Sequence, residues 1–178
     1  AEAEVDWHDG RYLLCFPLSA AAVPAVERTA ARLRYLQTPS LTQYTILRNE
    51  LHYDDATGTP QTCDLILHRL PDGETLAVCA ADFDTEQLLA ALDELQRTLS
   101  EAGFSHNNLK PENIFVTPQG RLIPVRYHFA RFAPDGDRDA FDALRRFVLE
   151  RGGRGQMLRD AEASVYRTLP EFPGHLFV

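Results

Sequence analysis

The chain's apolar positions switch between two spacings. Arg11–Leu18 (RYLLCFPL) is a short apolar run carrying rings, which predicts a strand. Pro24 suits a first helical turn, and Val26, Leu33 and Leu36 give that helix one apolar side until Pro39 forbids its continuation. Leu41–Tyr53 and Cys63–Leu70 predict two strands, joined through the turn-rich DDATGTPQ, and Leu70–Gly73 (LPDG) is a further turn. The spacing then becomes helical. Asp84 caps a helix with Gln87 three residues on, Leu88, Leu89, Leu92, Leu95 and Leu99 line one face, and Gly103 ends it. Ile114–Val116 and Leu122–Val125 flank TPQG and predict a tight hairpin. A last helix is predicted over Arg138–Glu150, stopping at Gly152-Gly153, with one more helix and a proline-punctuated end in the tail from Arg154 to Val178.

With 178 residues, 44% hydrophobic and 25% charged, the chain has material for one core and does not read as disordered. A formal net charge of −8 argues against a general binder of nucleic acid or of anionic membranes. No apolar run approaches the roughly 20 residues a bilayer requires. The opening AEAEVDWHDG is acidic and polar, lacks a signal-peptide pattern and begins without Met, so the sequence reads as a segment of something longer, with Trp7 either anchored on the body or disordered. Cys15, Cys63 and Cys79 are odd in number and form no CxxC pair, which suggests buried free thiols in the cytoplasm. The six histidines show no ligating spacing and read as structural or surface groups, so no metal and no cofactor is expected. Arg145, Arg146, Arg151, Arg154 and Arg159 form a basic run that reads as a solvated helix face or as a partner or phosphate patch. Lys110 is the sole lysine.

That lysine lies in His106-Asn107-Asn108-Leu109-Lys110-Pro111-Glu112-Asn113. The octapeptide resembles the catalytic loop of the eukaryotic-type protein kinases, HRDLKPEN, at six of eight positions, and it is flanked in the same order by a leucine-rich helix and a hairpin. Arg126, Tyr127 and His128 stand where the metal-binding DFG triplet would follow, 13 residues after Asn113 (126 − 113). Arg28–Leu41 resembles the kinase C-helix and its exit. A looser likeness of pattern is to the pseudokinase-like cytoplasmic domain of the type VII secretion component YukC. The resemblance implies an α+β, minimal kinase-like fold: a reduced N-lobe (strand, helix, hairpin) over 11–75 and a truncated helical C-lobe over 76–178. Asp137 or Asp139 would then resemble the aspartate that braces the catalytic loop.

The same resemblance implies that catalysis is gone. A kinase positions phosphates with a Gly-rich loop and a strand lysine, orients the hydroxyl with an Asp, and holds magnesium with an Asp and an Asn. Here there is no GxGxxG, and Lys110 is unavailable as the strand lysine. Asn108 replaces the orienting Asp, Arg126 puts a permanent cation where the metal would sit, and Asn107 replaces an arginine. The expectation is a pseudokinase serving as a scaffold or regulatory module for a protein partner. Two other readings stay open: a divergent phosphotransferase or nucleotidyltransferase using Asn113, Lys110 and Glu112, or a sensor binding a nucleotide without metal through Lys110 and Asn113. The alternative for those two residues is a solvated Lys110 and an Asn113 bonded to backbone. Arg126 has its own alternatives: filling the pocket, meeting an acidic partner, pairing internally with Glu112, or facing solvent.

Overall fold

Glu2–Trp7, part of the opening read as merely acidic and polar, forms a strand, β1. In the computed structural model the described residues are 2–8, 10–16, 21–36, 38–133 and 136–168, with side chains described through 152 and at 155, 157 and 160. β1 pairs antiparallel with β2 (Gly10–Cys15), in a register running from Glu2 opposite Cys15 to Trp7 opposite Gly10. Trp7 sets its ring edge-on to Tyr12 at 5.8 Å yet stays half exposed.

Helix α1 (Val23–Leu33) carries Pro24 in its first turn and buries Val23, Val26, Ala30 and Leu33. β3 (Tyr44–Asp54) and β4 (Pro60–Arg69) form the expected hairpin. Asp55 organises its turn by accepting the amides of Thr57 and Thr59. The first sheet has the order β1-β2-β4-β3, antiparallel throughout. The Tyr44 hydroxyl on β3 donates to the Val26 carbonyl at 2.7 Å, which ties α1 to the sheet.

A two-residue strand, β5 (Glu74–Thr75), and a one-turn helix, α2 (Leu76–Cys79), lead to α3 (Thr85–Glu101). The Asp84 side chain accepts the Gln87 amide at 2.9 Å, and Leu88, Leu92, Leu95 and Leu99 are all buried, as the spacing predicts. β6 (Ile114–Val116) and β7 (Leu122–Pro124) complete a second antiparallel sheet in the order β5-β6-β7. The architecture is α+β, and one hydrophobic cluster runs from Leu13 and Ile66 through Leu88 and Leu92 to Phe141 and Val148. Among the described residues no helix is long and apolar enough to cross a membrane.

Helix α4 (Arg138–Thr168) does not stop at Gly152-Gly153 but runs through them; residues 169–178, where the proline-punctuated end was expected, lie outside the described residues. The reason is packing. A Cβ on Gly152 would collide with the Thr85 hydroxyl at the start of α3, and one on Gly155 would come within 2.8 Å of the Ala81 carbonyl. These glycines permit close approach of α4 to the start of α3 and to the loop before it. Ordinarily Gly→Ala in a helix gains about 1 kcal/mol. Gly152→Ala is expected instead to lower stability by about 1–2 kcal/mol through overpacking, and Thr85→Ala in the same chain should restore it; urea denaturation of the two variants measures both.

Candidate functional site

The polar octapeptide is a turn between α3 and β6, and its backbone is unusual. Gly103 ends α3 with φ of +59°, and Asn107 sits in the left-handed region with φ of 60°. The consequence is that two successive amides point the same way. Asp137, buried just ahead of α4, accepts both: His106 N–H at 2.6 Å and Asn107 N–H at 2.7 Å. Of the two aspartates left open by the sequence, Asp137 is therefore the one that braces the loop, while Asp139 is exposed. His106 is wholly buried, and its Nε2 lies 2.8 Å from the Val125 carbonyl, so that nitrogen carries the proton and donates. Asn107 spends its amide on the carbonyls of Ser105 and Phe129, at 3.1 and 3.0 Å.

Pro111–Asn113 forms a single 3₁₀ turn that delivers the chain to β6. Asn113 is buried; its amide nitrogen donates to the Asn108 carbonyl at 2.8 Å, and its own carbonyl accepts Val125 N–H at 2.8 Å. Asn113 is thus bonded to backbone, while Lys110 is exposed and Asn108 half-buried.

Arg126 follows β7 with φ of 68° and ψ of 60°, a left-handed conformation. Its Nε donates to Glu2 Oε2 at 2.7 Å, and its Nη1 donates to the Glu112 carbonyl at 3.1 Å and to Asn113 Oδ1 at 3.4 Å. The internal pairing therefore uses the carboxylate of Glu2 and only the backbone of Glu112. His128 Nε2 lies 3.1 Å from the other oxygen of Glu2, and its ring stacks on Phe129. Cys15, opposite Glu2 in the β1–β2 register, brings its Sγ to 4.0 Å from that same oxygen. Burial, and then the charge of Glu2, push the Cys15 thiol up to about 12.

Tyr127, between Arg126 and His128, points the opposite way into the core. Its ring meets Tyr44, His68, Phe104 and His106 with centroids 4.9–6.0 Å apart. Its hydroxyl accepts Thr42 N–H at 3.2 Å, and Thr42 Oγ1 reaches His68 Nε2 at 2.5 Å. Burial pushes the Tyr127 phenol up to about 12 and the His68 imidazole down to about 3, and lowers His106 as well.

Among the eight sequence-selected residues the structure joins Arg126 to Asn113 through side chains, Asn113 to the backbone of Asn108 and Lys110, and His106 to the Tyr127 ring, while His128 meets Arg126 only through Glu2. Asn107, Asn108, Asn113, Arg126 and His128 line one polar seam that His106 supports from inside; Tyr127 belongs to the core, and Lys110 to the surface. Glu2 and Cys15 were not singled out, since only the β1–β2 pairing carries them to residues more than 110 positions away. In the basic run, Arg145 is held by Asp93 at 2.7 Å and by Asp142 at 3.3 Å, Arg146 and Arg151 are exposed, and the side chains of Arg154 and Arg159 lie outside the described residues. No protein-family model matches the chain, and no curated protein matches it.

Two outcomes follow from this geometry. Asp137→Ala strips the acceptor from one buried and one partly buried amide and is expected to cost about 2–3 kcal/mol, with Asp137→Asn losing less; chemical denaturation reads both. His68 stays neutral in the folded chain down to about pH 3, whereas the unfolded chain takes up its proton near 6.5. Its contribution is therefore intact above pH 6.5 and drains away as pH falls toward 3. Stability at pH 4 should lie on the order of 3 kcal/mol below that at pH 7.5 from this group. His68→Gln should flatten that slope in a denaturation series across the same pH range.

Proposed function

We propose that the chain is a catalytically inactive, protein kinase-like domain that acts in the cytoplasm as a scaffold or regulatory module, through contact with a protein partner. The observation that carries this reading is the state of Arg126. Its guanidinium spans Glu2, the Glu112 carbonyl and Asn113 Oδ1, so a fixed cation stands beside the asparagine that a kinase would use to hold magnesium. A magnesium ion would need several oxygen ligands in an octahedron, and here it would meet a positive charge instead.

The rest of the seam supports the same conclusion. Asn108 has no carboxylate to orient a hydroxyl, and the Asn113 amide is engaged with backbone. Lys110, far from being aimed at a phosphate, is exposed on the loop. Phe129, 64% exposed beside the seam, offers an aromatic surface of the kind protein interfaces favour. Cys15, Cys63 and Cys79 are all free, in keeping with a reducing compartment.

The test is a thermal-shift titration with ATP and ADP, each with Mg²⁺ and with EDTA. A ligand confined to the folded state at a hundredfold excess over Kd adds about 2.7 kcal/mol, which is several degrees for a domain of this size. No shift is expected under any condition, and no phosphate release. A magnesium-dependent shift, or turnover that Asn113→Ala abolishes, would overturn the reading.

A further inference from the structure

Cys15 Sγ, a carboxylate oxygen of Glu2 and a ring nitrogen of His128 all lie within 4.8 Å of one another, and they come from β2, β1 and the turn after β7. We propose that Glu2, Cys15 and His128 form a three-ligand site for a borderline divalent transition-metal ion, with Zn²⁺ as the best match. The inference is independent of the kinase-like reading.

The spacing suits that ion. Bonds of about 2.0–2.3 Å to nitrogen, oxygen and sulfur at tetrahedral angles set ligand atoms about 3.3–3.6 Å apart. His128 Nε2 and Glu2 Oε1 are 3.1 Å apart, and Cys15 Sγ and Glu2 Oε1 are 4.0 Å apart. Closing around an ion therefore takes shifts of about an ångström or less. His128 can supply them, because among the described residues its Nδ1 has no hydrogen-bond partner to fix the ring. The carboxylate is already oriented, since Arg126 Nε holds Glu2 Oε2 at 2.7 Å and leaves Oε1 toward the sulfur and the imidazole. Such outer hydrogen bonds are what fix ligating carboxylates.

The donor set also selects. One sulfur, one nitrogen and one oxygen suit zinc, whereas magnesium and calcium demand a shell of oxygens. The thiol gives its proton to solvent on binding, and thiolate plus carboxylate then neutralise the ion. The charge of Arg126 is then met by Glu4, whose carboxylate lies 4.0 Å away. Three protein ligands leave a fourth position for water or an incoming group. The bound ion would staple both strands of the N-terminal hairpin to the turn that carries Arg126 and His128.

Cobalt titration of the chelator-stripped 178-residue chain tests the site. One Co²⁺ per chain is expected, with a thiolate-to-cobalt band in the near ultraviolet, strong four-coordinate d–d bands in the visible, and loss of both on adding one equivalent of Zn²⁺, which binds more tightly. Cys15→Ser should abolish the near-ultraviolet band, while Cys63→Ser and Cys79→Ser keep it. Glu2→Gln and His128→Gln, whose side chains are partly exposed and tolerate exchange, should each weaken cobalt binding at least about tenfold with unchanged far-ultraviolet circular dichroism. No saturable uptake, a band that survives Cys15→Ser, or undiminished affinity in Glu2→Gln and His128→Gln would each overturn the proposal.

Discussion

The carboxylate of Asp137 is the fixed point of this fold. Two neighbouring amides of a buried turn, those of His106 and Asn107, converge on it from one side, and the start of α4 presents it from the other. An unmet buried amide costs about 1–3 kcal/mol, so a turn of this shape is tenable only with that acceptor in place. Everything downstream inherits the constraint. His106 is set so that its imidazole can reach the Val125 carbonyl, Val125 in turn donates to the Asn113 carbonyl, and the next residue is Arg126. A single acid thus holds the polar turn, the second sheet and the C-terminal helix in one arrangement.

Arg126 turns that arrangement toward the N-terminus. A left-handed arginine is a conformational expense of about 1–2 kcal/mol, and it is offset by three hydrogen-bond partners drawn from two parts of the chain. The side chain knits Glu2 of β1 to the 3₁₀ turn at Pro111–Asn113, while His128 meets the other oxygen of the same carboxylate. The gap between β1 and the 3₁₀ turn is thus bridged by the protein's own acid and its own cation.

Much of the fold was legible because its signals are local. The Asp84–Gln87 cap, the leucines of α3, the proline at the head of α1 and the turn residues between strands each act within a few positions. What was not legible is what only tertiary structure decides. β1 alternates acidic and apolar residues at an exposed sheet edge, and its pattern of exposed and half-buried positions leaves little hydrophobic signal. Gly152 looks like a helix stop in sequence, and its actual use, making room for Thr85, depends on a residue 67 positions away (152 − 85). The octapeptide gave the location of the polar seam and Asp137 as one of two braces. It could not give Glu2 or Cys15, because the contact that matters spans 124 residues.

That span orders events in time. Synthesis runs from N- to C-terminus, so β1 is made before its charged partner, which does not follow until after β7. The α3 helix, the β6–β7 hairpin and the brace to Asp137 involve short or intermediate loops, whereas closing Glu2 onto Arg126 closes nearly the whole domain. Contacts of such sequence separation are slow to form and reward the chain only once the nearer ones exist. The docking of Glu2 onto Arg126 is therefore expected to follow the nearer contacts, and the acidic residues Glu2, Glu4 and Asp6 keep the β1 edge charged and unattractive to other strands.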